Sequence, residues 1–138
     1  LSVTHGDLHP LNLLVAEHGT TTVLDWNNAL LADPCFDVAY TSLILANPPL
    51  GASGPMAAVI GRVGARMSKK FLAAYAERAP QTDLTNLGWY RGVHGARILV
   101  ELAVLASDDP VAAAKHPFSN LVGTAQELLD RASGGLED

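Results

Sequence analysis

The chain has 138 residues, nine Lys and Arg against fourteen Asp and Glu, and a formal net charge of -5. A length of about 100–200 residues builds one core, and an apolar fraction of 49% excludes global disorder. An acidic balance without a basic block disfavours nucleic-acid binding, no run nears the ~18–20 apolar residues of a membrane span, and no secretion signal opens the chain. The lone Cys35 has no internal disulfide partner, which fits a reducing, cytoplasmic setting.

The chain opens with a polar loop, His5-Gly6-Asp7-Leu8-His9-Pro10. Two short β-prone runs follow, Leu13-Leu14-Val15 and Thr21-Thr22-Val23-Leu24, joined by Glu17-His18-Gly19-Thr20, with Gly19 available for positive φ. That pattern predicts a β-hairpin. Asp25-Trp26-Asn27-Asn28 comes next. From about residue 37 the pattern turns helical. Asp37 is placed to cap a helix through Val38, Ala39, Leu43 and Ile44, which Asn47-Pro48-Pro49 stops.

After a Gly51–Pro55 breaker cluster, Met56, Val59, Ile60, Val63, Met67 and Phe71 recur at helical steps, with Arg62, Arg66, Lys69 and Lys70 between them. This predicts a long amphipathic helix with that apolar face buried, the basic face solvated and an end near Pro80, in which Gly61 and Gly64 either weaken the helix slightly or let another backbone come close. A third helix from about Leu84 to Ala106, capped by Thr82 or Thr85, is apolar on most faces and reads as buried between others. Arg91, His94, Arg97 and Glu101 form a stripe on it. The simplest reading is a solvated stripe with an Arg97–Glu101 pair, and the functional alternative is a substrate-cleft lining. Trp26, Trp89 and Tyr90 read as packing residues, and Cys35 shows no sign of reactivity. A last helix spans about Phe118 to Ala132, with Leu121, Val122, Ala125, Leu128 and Leu129 on one face. The order of loop, hairpin, loop and helices has no βαβ alternation, so the expected class is α+β, mainly α.

The hairpin brings its open ends together, so Asp7, Asn12 and Asp25 are predicted to converge. Two carboxylates and a carboxamide are oxygen donors that suit Mg²⁺. Phosphoryl transfer uses such a set: one carboxylate orients the attacking hydroxyl, while an Asn and an Asp hold the metal. His5, Asp7 and His9 also spell HxDxH, a pattern that a metal-dependent hydrolase could use, but His18, His94 and His116 lack ligand spacing.

His5-Gly6-Asp7-Leu8-His9-Pro10-Leu11-Asn12 resembles the HGDxHxxN loop of the aminoglycoside phosphotransferase and choline kinase-like family. Val23-Leu24-Asp25-Trp26 is similar to that family's metal-binding strand end, and Ala32-Asp33-Pro34-Cys35-Phe36-Asp37-Val38-Ala39 to its GDPxxDLA segment. Leu11, Asn27 and Ala32 depart from residues common in the family. The resemblance implies a protein-kinase-like C-terminal lobe: catalytic loop and hairpin over 1–36, helical part over 37–133, acidic tail over 134–138. It implies Asp7 as catalytic base, Asn12 and Asp25 as Mg²⁺ ligands, and His5 and Asp37 as braces of the loop. The cofactors implied are Mg²⁺ and ATP (or GTP), with a small-molecule hydroxyl such as an aminoglycoside, choline or a sugar as acceptor.

The family's nucleotide lobe, with its strand lysine, has no counterpart before His5, and no GxGxxG or GKS/GKT string occurs. The expectation is therefore a lobe that needs its missing N-terminal partner lobe and is inactive alone. A non-catalytic kinase-like binding domain is the competing class.

Overall fold

The structure, a computed structural model, describes residues 1–50 and 54–134. Most of the predicted tail and part of the Gly51–Pro55 cluster lie outside the described residues. The described residues are mainly helical, with two small antiparallel strand pairs among them near the start of the chain.

Strands β2 (Leu13–Val15) and β3 (Thr21–Val23) form the expected hairpin, with Leu13 opposite Val23 and Val15 opposite Thr21. Gly19 turns the chain at φ 81°. The ladder runs one step further, where Leu24 N–H donates to Asn12 O at 2.9 Å. A second pair escapes sequence reading: β1 (Ser2–Thr4) lies antiparallel to β4 (Leu30–Ala32), and the buried Thr4 hydroxyl donates to Leu30 O at 3.0 Å. This pair clamps the two ends of the segment that carries the polar loops.

Helix α1 (Cys35–Ala46) is the centre of the fold and is buried along most of its length. It starts at Cys35, so Asp37 lies inside its first turn and is not its cap. Asn47 and the prolines end it as expected, its N–H returning to Leu43 O at 3.1 Å. Helices α2 (Gly54–Arg78) and α3 (Leu87–Asp108) pack on α1. Helix α3 in turn carries a short α4 (Pro110–Lys115), capped by the Asp109 carboxylate, and the final α5 (Val122–Gly134). The core joins Tyr40, Leu43 and Ile44 of α1 to Ile98 and Leu102 of α3, and to Leu121 and Ala125 at the last helix.

Several expectations are corrected. Helix α2 buries Gly64 and Ser68, while Met56, Val59, Val63 and Met67 stay exposed. The reason is steric. A Cβ on Gly64 would lie 2.7 Å from both the Leu45 and Ala46 carbonyl oxygens, so this small-residue face lets the two helices touch. Helix α3 begins at Leu87 behind Asn86 and takes no side-chain cap from Thr82 or Thr85. It is not enclosed all round, since Val100 and Val104 are exposed. Trp26 and Trp89 are half exposed and lie outside the core, yet the Trp26 ring packs 4.8 Å from His5 and the Tyr90 ring 6.0 Å from Phe36. Among the described residues no helix is long and apolar enough to cross a membrane.

Candidate active site

The polar loop is held from below by α1. The Asp37 carboxylate accepts His5 N–H at 2.6 Å with one oxygen and Gly6 N–H at 2.8 Å with the other. Thr41, one turn along, donates its hydroxyl to Leu8 O at 2.7 Å. An acid in the first helical turn already suits the positive end of the helix dipole, and here it also fixes a second chain segment. Gly6 sits at φ 77°, where a side chain would run into the Asn28 carbonyl oxygen, so only glycine serves.

His5 is buried, and both ring nitrogens are engaged by backbone. Nδ1 accepts Asp7 N–H at 3.2 Å, which leaves Nε2–H to donate to Leu24 O at 2.7 Å. The ring therefore bridges the two polar loops in one neutral tautomer, with the Trp26 ring 4.8 Å away. With neither nitrogen free, His5 cannot serve as a metal ligand, and the HxDxH reading loses a member. Among the described residues no three His, Cys, Asp or Glu side chains form a metal-binding group.

Asp7 is half-buried. The Asn12 amide nitrogen donates to Asp7 O at 2.9 Å and reaches its carboxylate at 3.4 Å. His9 Nε2 lies 3.5 Å from the same carboxylate. Tyr40 packs beneath, buried, and burial together with the neighbouring Asp7 carboxylate pushes its hydroxyl well above the ordinary tyrosine range. Asn12 closes a 3-10 turn, Pro10–Asn12, whose geometry turns its side chain back to Asp7. Asp25 sits just past β3 in the left-handed region, φ 60°, the sole non-glycine residue there among the described residues. Its exposed carboxylate accepts Asn27 Nδ2 at 2.7 Å. A non-glycine residue held at positive φ is a strained position of the kind found at functional sites.

Asp7 and Asn12 are thus in contact, and Asn12 is tied to the Asp25 turn through the Leu24 amide. No hydrogen bond joins the Asp25 side chain to the other two among the described residues.

The helical stripe is also corrected, because most of it faces inward. His94 is fully buried and shares a 2.8 Å bond between Nε2 and Phe36 O, while its Nδ1 has no partner among the described residues. Burial lowers its pKa. Arg91 donates to Ser42 Oγ at 3.1 Å. Arg97 does pair with Glu101, Nε to Oε1 at 2.7 Å, but its Nη1 also donates to Gly6 O at 2.6 Å, across 91 positions of sequence. Sequence reading caught the pair and missed the link, which no local spacing signals. Cys35 is buried, its thiol pushed up to about 11 by burial and by Asp33, consistent with an unreactive group.

A family model described as the phosphotransferase enzyme family matches residues 1–82, more than half of the chain. A curated relative from Bacillus subtilis (strain 168), described as "Uncharacterized protein YcbJ", is 46% identical over 44 residues, which is 30% of this chain. The matched stretch spans 14% of that relative's length. No solved structure matches the chain. The loop geometry and the family match lead to one statement: this chain belongs to the phosphotransferase enzyme family.

Proposed function

We propose that this chain is the acceptor- and metal-binding lobe of a cytoplasmic phosphotransferase that moves the γ-phosphoryl group of ATP (or GTP) to a hydroxyl of a small molecule. The observation that carries the reading is the Asp7–Asn12 contact, built on a loop that α1 holds by two charge-assisted bonds. Asp7 accepts the hydroxyl's hydrogen bond and takes its proton as the bond to phosphorus forms. Asn12 directs its amide nitrogen at Asp7, which leaves its carbonyl oxygen for a cation. Asp25 contributes an exposed carboxylate. This all-oxygen pair suits Mg²⁺ in kind. When bound, the ion offsets charge on the transferring phosphoryl group. His5 and Asp37 act by holding the loop and touch no substrate.

A nucleotide lobe elsewhere in the same polypeptide completes the proposal. Leu13, Leu14, Val15, Leu30 and Leu31 are exposed around the two strand pairs, an apolar surface suited to a covering element. The test uses the full-length polypeptide, labelled Mg-ATP and a panel of aminoglycosides, choline and sugars. Asp7→Ala is expected to abolish transfer while nucleotide binding stays within about twofold. Near-normal transfer by Asp7→Ala overturns the reading.

A further inference from the structure

The reading of Asp7 as base leaves open what fixes its approach. Gly6, the residue before it, has the freest backbone in the loop. The Gly6–Asp7 peptide is nonetheless pinned at both ends. Its N–H, on Asp7, donates to His5 Nδ1 at 3.2 Å. Its carbonyl, on Gly6, accepts Arg97 Nη1 at 2.6 Å, the shorter and charge-assisted contact. The peptide on the other side of Gly6 is held by Asp37 at 2.8 Å. With both flanking peptide planes fixed, Gly6 has no rotation left by which Asp7 could swing away.

Arg97 is itself oriented. Glu101 takes Nε at 2.7 Å, and the guanidinium carbon lies 5.4 Å from the Tyr40 ring centroid. Only a planar fork presents one edge to a carboxylate and another donor to a carbonyl, so lysine is a poor substitute here.

We infer that Arg97 is a positioning residue that locks the Gly6–Asp7 peptide and so sets the aim of the Asp7 carboxylate, with Glu101 holding the guanidinium in place. The inference rests on the reading of Asp7 as base. It makes the precision of the loop depend on α3, a helix far along the chain.

The experiment compares wild type, Arg97→Met, Arg97→Lys, Glu101→Gln and Asp7→Ala in the full-length polypeptide. Hydrogen exchange by mass spectrometry follows peptides over residues 4–12, and over 42–49 and 121–132 as core references. Turnover of Mg-ATP is measured with an acceptor from the hydroxyl panel. Arg97→Met is expected to speed exchange over 4–12 by about tenfold, leaving the core peptides unchanged, and to lower kcat about tenfold with KM for nucleotide within about twofold. Arg97→Lys recovers only part of either effect, and Glu101→Gln falls between wild type and Arg97→Met. Unchanged exchange over 4–12 overturns the inference, as does an increase shared equally by the core peptides. Normal turnover by Arg97→Met beside an inactive Asp7→Ala overturns this inference alone. Normal turnover by Asp7→Ala overturns the reading of Asp7 and this inference with it.

Discussion

Replacing Asp37 measures how firmly α1 holds the loop. Its carboxylate receives two backbone N–H groups, from His5 at 2.6 Å and from Gly6 at 2.8 Å. His5 is 2% exposed, so its N–H finds no water once the acceptor is gone. A hydrogen bond to a charged group contributes about 1.5–3 kcal/mol, and stranding a buried donor adds to the loss. The two bonds share one acceptor and Asp37 is only half-buried, so simple addition overstates the total. Asp37→Ala is expected to cost about 3–5 kcal/mol. Asp37→Asn keeps one oxygen and turns an NH₂ group toward the second N–H, so its cost is about 2–3 kcal/mol. Urea unfolding with two probes reads the effect. In a Trp89→Phe background, tryptophan emission senses Trp26 alone, whose ring lies 4.8 Å from His5, while far-ultraviolet dichroism follows the helices. The loop is expected to loosen first, so the emission transition moves to lower urea ahead of the helical one. Coincident transitions with Asp37→Ala within about 0.5 kcal/mol of wild type refute the reasoning.

Two further outcomes concern the helices. Gly61 and Gly64 share α2, yet a Cβ at Gly61 meets nothing within 4 Å while one at Gly64 lies 2.7 Å from two carbonyl oxygens. Gly61→Ala is expected to gain about 0.5–1 kcal/mol and Gly64→Ala to lose about 1–3 kcal/mol, read as opposite shifts of the urea midpoint. Buried His94 has a lowered pKa in the fold, so the unfolded chain takes up the proton first. Stability is full above the ordinary histidine value of about 6.5, falls as pH drops below it, and levels off below the folded-state value. His94→Phe is expected to flatten that slope in urea midpoints taken from about pH 7.5 to about pH 5.

The local patterns were legible in the sequence. Two β-prone runs around a glycine foretold the hairpin, and Asn47-Pro48-Pro49 foretold where α1 stops. The contact of Asp7 with Asn12 follows from a short loop, so spacing sufficed. What stayed hidden depends on distant partners. Strands β1 and β4 are three residues each and show no alternation to read. The role of Asp37 as a loop anchor looks identical, in one dimension, to a helix cap, and only the family resemblance pointed to it as a brace. Periodicity on α2 marked an apolar stripe but could not say which side a neighbour would occupy; the glycines offered the other side to a close backbone, and the α1 carbonyls take that place at Gly64 and not at Gly61. The Arg97–Glu101 pair is an ordinary i,i+4 signal, whereas the bond to Gly6 exists only once α3 has been laid against α1.

The β1–β4 clamp has a consequence for how this segment tolerates change. Its two strands bring residues 2–4 and 30–32 side by side, so the segment between them is closed at its base, where the polar loop rests on α1 and α3, and only the hairpin extends away. The outer tip of that excursion, Glu17 to Thr20, is exposed and turned by Gly19. Length added there displaces nothing at the base, because the ladder and the clamp close beneath it. A short peptide tag or fluorophore attachment sequence inserted beside Gly19 is thus a practical handle on the protein, placed on the same strand pair as Asn12 and Asp25 yet at its opposite end.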